Sequence, residues 1–223
     1  MAAEQQIPVL AARVVEFQEE LEKMPEDDVQ WAIQNTKEAL ALWVEAVRNR
    51  VKNAAQTVVR IMSGVLSTTI IPATTDKFVA KDKFKVDTGR KAKVKISWLG
   101  DNFRAHFLGK TEDSFPGSTI ARRKLEKDSV DGPILLDLGG KEKAKTTLAE
   151  LYAMLVKQPN GEDGDLLTNG CANIFYIEDV DGTLWAVVTR WDGDGWSVAA
   201  DSVELPVGWL AGRQVFSRNS LAA

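Results

Sequence analysis

Residues 29–65, VQWAIQNTKEALALWVEAVRNRVKNAAQTVVRIMSGV, read as one long amphipathic helix. Val29, Ile33, Thr36, Leu40, Trp43, Val47, Val51, Ala54, Val58, Ile61 and Val65 follow one another in steps of three and four residues. This is a heptad seam carrying one four-residue stutter, the pattern of a coiled-coil stripe. At ~1.5 Å per residue the stripe runs for about 55 Å, more than a small domain usually offers one helix, so a partner has to lie along it.

Upstream, Ile7 to Met24 repeats the same spacing at Leu10, Val14, Phe17, Leu21 and Met24. Pro25 ends this first helix, and Glu26, Asp27 and Asp28 suit the positive N-terminal end of the second. A helical hairpin follows. The first helix is about half as long as the second, so residues 40–65 are expected to pack on the rest of the chain or to self-associate as a homo-oligomer.

Beyond Gly64 the β-branched run from Ser67 to Ile71 signals extended chain. Val94, Ile96 and Trp98, then Phe103, Ala105 and Phe107, alternate about Gly100-Asp101-Asn102 and predict a hairpin with one apolar face turned inward. Its outer face would collect Lys93, Lys95, Arg104 and His106, with Lys91 at one end. Ile134 to Leu138 reads as a short buried strand, and Lys143 to Gln158 as a helix stopped by Pro159. The C-terminal part reads as an antiparallel meander of 173–178, 183–191 and 196–203, with Gln214 to Phe216 returning to close an edge. Helices first and strands later predict an α+β protein: a long N-terminal helical hairpin, then a mainly antiparallel β region with one packed helix. The expected division is a coiled-coil-like hairpin at 1–66, a basic β region at 67–128 and an acidic α+β region at 129–223, the last two compatible with one domain.

The formal net charge of -4 conceals a segregation. Residues 1–76 carry 7 Lys and Arg against 11 Asp and Glu, residues 77–127 carry 14 against 6, and residues 128–223 carry 7 against 15. Either a basic face meets a polyanion, or basic and acidic parts neutralise each other within the fold. The first possibility makes Lys91, Lys93, Lys95, Arg104, His106, Arg122 and Arg123 the candidate contacts for nucleic acid or another polyanion.

Other chemistry is thinly represented. His106 is the only histidine and Cys171 the only thiol, so a nucleophile–base dyad for a hydrolase would have to be made from these two, or else from carboxylates with no recognisable signature. Gly139-Gly140-Lys141 stands between an expected strand and a helix but lacks the phosphate-loop pattern, and the Asp-rich loops lack calcium-site spacing. No metal or cofactor is expected. Trp185, Trp191, Trp196 and Trp209 crowd the C-terminal sheet. Most should be core, with Trp191 and Trp196 at a loop mouth the candidates for a stacking platform that would bind a glycan or a protein. The single cysteine, the absence of a basic-then-apolar leader and the absence of any apolar run near the ~18 residues of a membrane span predict a soluble cytoplasmic protein. The leading expectation is a non-catalytic binding protein whose basic sheet face engages a polyanion.

Overall fold

A computed structural model of the chain describes residues 60–205 and 207–218, together with eight positions between Gln30 and Glu45. The chain divides into two units, Met1–Val58 and Val59–Ala223. In the first, the described positions are helical except Asn35, which lies in a turn. The rest of the expected hairpin, and most of the seam proposed for self-association, fall outside the described residues. The far end of the long helix is corrected: residues 60–66 are not helical. The backbone N–H groups of Ile61 and Met62 donate to Asp137 Oδ2 at 3.2 and 3.1 Å instead of to helical carbonyls. Met62 is buried and bridges Leu125.

The second unit contains, in order, β1 (Ser67–Ile71), β2 (Phe78–Val79), α1 (Ala80–Lys83), β3 (Ile96–Leu99), α2 (Asp101–Phe107), β4 (Thr111–Glu112), β5 (Ser118–Lys124), α3 (Asp131–Asp137), α4 (Lys141–Ala144), β6 (Lys145–Thr146), α5 (Leu148–Lys157), β7 (Asn173–Glu178), β8 (Leu184–Trp191), β9 (Trp196–Ser202) and β10 (Gln214–Arg218). The main sheet runs β1-β5-β10-β7-β8-β9-β3, mostly antiparallel, while β2 and β4 form a separate pair. Parallel pairing occurs where β10 meets β7 and where β3 meets β9. β6 pairs with Tyr176 and Ile177, continuing along β7 beyond its last contact with β10 at Phe175. The chain is thus α+β, with helices on a largely antiparallel sheet. Among the described residues no helix is long and apolar enough to cross a membrane.

Both faces of the sheet are covered. One carries α5 through Leu148, Leu151, Met154 and Leu155, together with Phe84, Phe103 and Phe107. The other carries Ile134 and Leu135 of α3, Ala144 of α4, and Trp209. β8 lies between β7 and β9 and contributes Val187 to the first cluster and Leu184, Ala186 and Val188 to the second.

Several sequence expectations change here for identifiable reasons. Residues 93–108 are not a hairpin. Phe103 and Phe107 are four apart as well as alternate, and with extended Gly100 before the first turn and Asp101 in it they form α2. Ile134 to Leu138 belongs to a helix, because a short apolar run has no periodicity that separates strand from helix. Pro133 sits in its first turn, where a missing N–H costs nothing. That helix ends on Gly139 at φ +90, with Gly139 N bonded to Leu136 O and Gly140 N to Leu135 O, a Schellman closure. The two glycines therefore serve a helix end. The helix expected from Lys143 begins only at Leu148, where Thr147 and Glu150 form a capping box. β10 is an interior strand between β5 and β7, not an edge.

Candidate functional site

The sheet distributes the cationic side chains unequally. Arg122 and Arg123 are successive on β5 and so point to opposite faces. Arg122 meets the loop after α5: its Nη1 donates to Asp165 O at 3.3 Å, and its Nε lies 3.9 Å from Asp165 Oδ1. Burial raises the Asp165 carboxyl, but hydrogen bonds from Thr69 and Ser67 and the charge of Arg122 outweigh it and hold the group below its ordinary value. Arg123 donates to Ser217 Oγ at 2.8 Å and lines a polar cleft of about 270 Å³ with Arg60, Ser63 and Asp137. Arg104 donates to Leu99 O at 2.9 Å on α2. Arg122 and Arg123 therefore do not share a face, and Arg104 is held on a different element.

His106, also on α2, packs at a tilt against Trp185 with ring centroids 4.5 Å apart, and its Nδ1 lies 3.4 Å from Asp179 Oδ2. Asp179 is buried and accepts from Asp181 N, Thr183 N and Trp185 Nε1, each at 2.9 Å. Burial alone would raise its carboxyl, yet these hydrogen bonds and His106 bring it below the ordinary value. A carboxylate lowered on folding stabilises above its unfolded pKa of about 3.9, and that stabilisation is lost as pH falls through the folded value. Asp179→Asn is therefore expected to lower stability at neutral pH, with the gap to wild type narrowing below about pH 4. Chemical denaturation at pH 7, 4 and 2.5 measures this, and a gap constant with pH would exclude Asp179 as the source.

Cys171 lies on the opposite side of the fold from this group. It precedes β7, whereas Asp179 follows it, and a six-residue strand is about 20 Å long. Arg213 Nη1 lies 3.1 Å from its sulfur. The structure does not bring Cys171 and His106 together, so the dyad is not formed. The stacking platform is likewise not formed: Trp196 is fully buried with its Nε1 donating to Gln158 O at 2.9 Å, and Trp191 packs edge-on against it.

Among the described residues, the fully buried carboxylate with an orphaned oxygen is Asp131. Its Oδ1 accepts from Tyr176 OH at 2.9 Å and Trp209 Nε1 at 2.8 Å, while Oδ2 has no partner. Burial pushes this carboxyl up, against those two hydrogen bonds, and neighbouring Asp201 adds to the rise. Tyr176 is also raised, first by burial and then by Asp131. The group is sealed from solvent and acts as a clamp, holding the β9–β10 connection to α3 through Trp209. Among the described residues no group of three or more His, Cys, Asp and Glu could hold a metal.

Lys91, Lys93 and Lys95 occupy a different setting. They belong to the segment 81–95, which carries seven Lys and Arg against two Asp. Phe84 and Val94 bury themselves in the core, and Asp87 and Ile96 exchange backbone hydrogen bonds of 2.9 and 3.0 Å, closing residues 88–95 into a loop. Arg90, Lys91 and Lys93 on this loop are exposed, as are Lys81, Lys83 and Lys85 before it. Among the described residues none of the seven cations forms an ion pair within 4.0 Å, unlike Lys110, Lys145 and Arg218 elsewhere. Lys95 is half-buried and its charge helps to lower Glu162, after the hydrogen bonds from Asn160.

The sequence reading also missed Trp98. A β-bulge lies between Ile96 and Trp98, which oppose the successive residues Trp196 and Ser197 of β9. The extra residue turns Trp98 away from the core side occupied by Ile96 and leaves it 51% exposed. No protein-family model, curated protein or solved structure matches the chain, so the site rests on its geometry alone.

Proposed function

We propose that this is a non-catalytic binding protein that engages a polyanion through the basic segment 81–95, which includes the closed loop 88–95. The supporting observation is that seven cations are gathered on 15 residues anchored at Phe84, Val94 and the Asp87–Ile96 bridge, without internal ion pairs among the described residues. The site therefore comprises Lys91 and Lys93 together with Lys81, Lys83, Lys85 and Arg90, with Lys95 at its base. Arg104, His106, Arg122 and Arg123 are engaged elsewhere and are not part of it. A fixed backbone carrying solvated Lys and Arg suits phosphate or sulfate groups, because each contact releases a condensed counterion.

Binding should accordingly weaken by about 10³-fold between 50 and 200 mM salt if about six phosphates are contacted. The combined variant Lys85→Glu, Arg90→Glu, Lys91→Glu and Lys93→Glu is expected to abolish binding at 50 mM salt and to leave the thermal melt unchanged. Anisotropy titrations with heparin and labelled oligonucleotides, with melts run beside them, provide the test. Absence of wild-type binding at low salt would sink the reading. A variant that melts early would show instead that the acidic part of the chain uses these charges internally.

A further inference from the structure

We infer that the polyanion is single-stranded nucleic acid, with one base stacking on Trp98 while the adjoining basic loop holds phosphates; this rests on the reading of the loop given above. Trp98 is three residues from Lys95, about 10 Å along extended chain. It stands on β3, the last strand of the sheet on that side. The far edge of its indole lies over Gly100: a Cβ built there would come within 2.9 Å of Cη2 and 3.2 Å of Cζ3. Glycine at this point allows the ring to lie low on the sheet, and a ring held in one place loses little freedom on stacking.

The surroundings extend the platform. Trp98 is in register with Ser197 of β9, and Ser197 with Arg190 of β8. Residues in register share a face, so an exposed indole and a guanidinium flank the small side chain of Ser197, with Ala199 beside it. Arg190 makes no ion pair within 4.0 Å among the described residues, although its charge opposes the rise that burial imposes on Asp201. Aromatic and guanidinium planes are the two protein surfaces on which unpaired bases stack, and a positive groove beside them tracks the backbone. A duplex keeps its bases stacked on one another, so it could use the loop but not the ring. The exposed ring beside the loop therefore selects single strands among polyanions.

Trp98→Ala is expected to weaken binding of a 15-nucleotide oligo(dT) by roughly 5- to 150-fold. Its affinity for heparin and for a duplex of equal length should be unchanged, and Trp98→Phe should recover most of the loss. Oligo(dT) should quench more tryptophan fluorescence in wild type than in Trp98→Phe. If Trp98→Ala binds oligo(dT) as wild type does, the stacking inference is overturned and the polyanion reading stands. An equal loss for heparin, duplex and oligo(dT) also overturns it, since stacking cannot explain that pattern. If wild type binds none of the three at 50 mM salt, both fall together.

Discussion

Phe103→Ala is expected to destabilise the Val59–Ala223 unit by about 3–5 kcal/mol, the usual cost of truncating a fully buried phenylalanine. Phe103 has no exposed surface. Its ring stacks on Phe107 at 5.4 Å and meets Phe84 edge-on at 5.0 Å, and Phe84 in turn packs against Tyr152 of α5 and Phe78 of β2. The ring thus joins α2 to α5, and the cavity left behind cannot collapse without moving one of them. Phe84 also anchors the start of the basic loop, so the same substitution should reduce polyanion affinity although no charge is altered. Urea denaturation followed by fluorescence measures the first effect, and titration with heparin below the transition measures the second. A loss under ~1 kcal/mol would mean that α2 is peripheral to the core.

What could be read from the sequence divides along physical lines. The strands of the 173–203 region were legible because alternating side chains and Asp-Gly turns are local signals. The body of α5 was legible from Leu148, Leu151, Tyr152 and Leu155, which recur at helical spacing. Phe103, Ala105 and Phe107 satisfied a strand and a helix equally well, and only the surrounding aromatic rings decide between them. Trp98 was placed inward because alternation from Ile96 puts it there, and a bulge of one residue cannot be seen in a pattern with period two.

The candidate site was half legible for a related reason. The charge count placed the basic excess within residues 77–127, but it could not tell solvated cations from engaged ones. Arg122 finds its partner 43 residues away at Asp165, and Arg123 finds Ser217 94 residues away. The insertion of β10 between β5 and β7 creates the second of these contacts, and no local pattern announces that insertion. Lys81, Lys83, Lys85 and Arg90 were part of the same count, yet only their exposure without ion pairs among the described residues sets them with Lys91 and Lys93.

Glu150→Ala is expected to cost about 3 kcal/mol, because one buried carboxylate serves several separate donors. Its Oε2 accepts Thr147 N at 2.7 Å and Thr147 Oγ1 at 3.1 Å, completing the capping box of α5. Its Oε1 accepts Ser118 Oγ at 2.6 Å and Arg218 Nε at 2.8 Å, tying the helix to the start of β5 and the end of β10. The N-cap bond from the backbone N–H of residue 150 to Thr147 Oγ1 survives the change. The cost comes from Ser118 and Thr147 N, which lose a charged acceptor in a part-buried position. Arg218 is 46% exposed and can turn to water, so Arg218→Ala should be the milder change. Glu150→Gln separates charge from shape: its amide offers one acceptor where four donors converge, and one NH2 must face a donor. It should therefore lose nearly as much as alanine does. Equilibrium denaturation of the three variants measures the order. A glutamine variant as stable as wild type would show that the geometry of the cap, and not the carboxylate charge, holds this corner of the sheet.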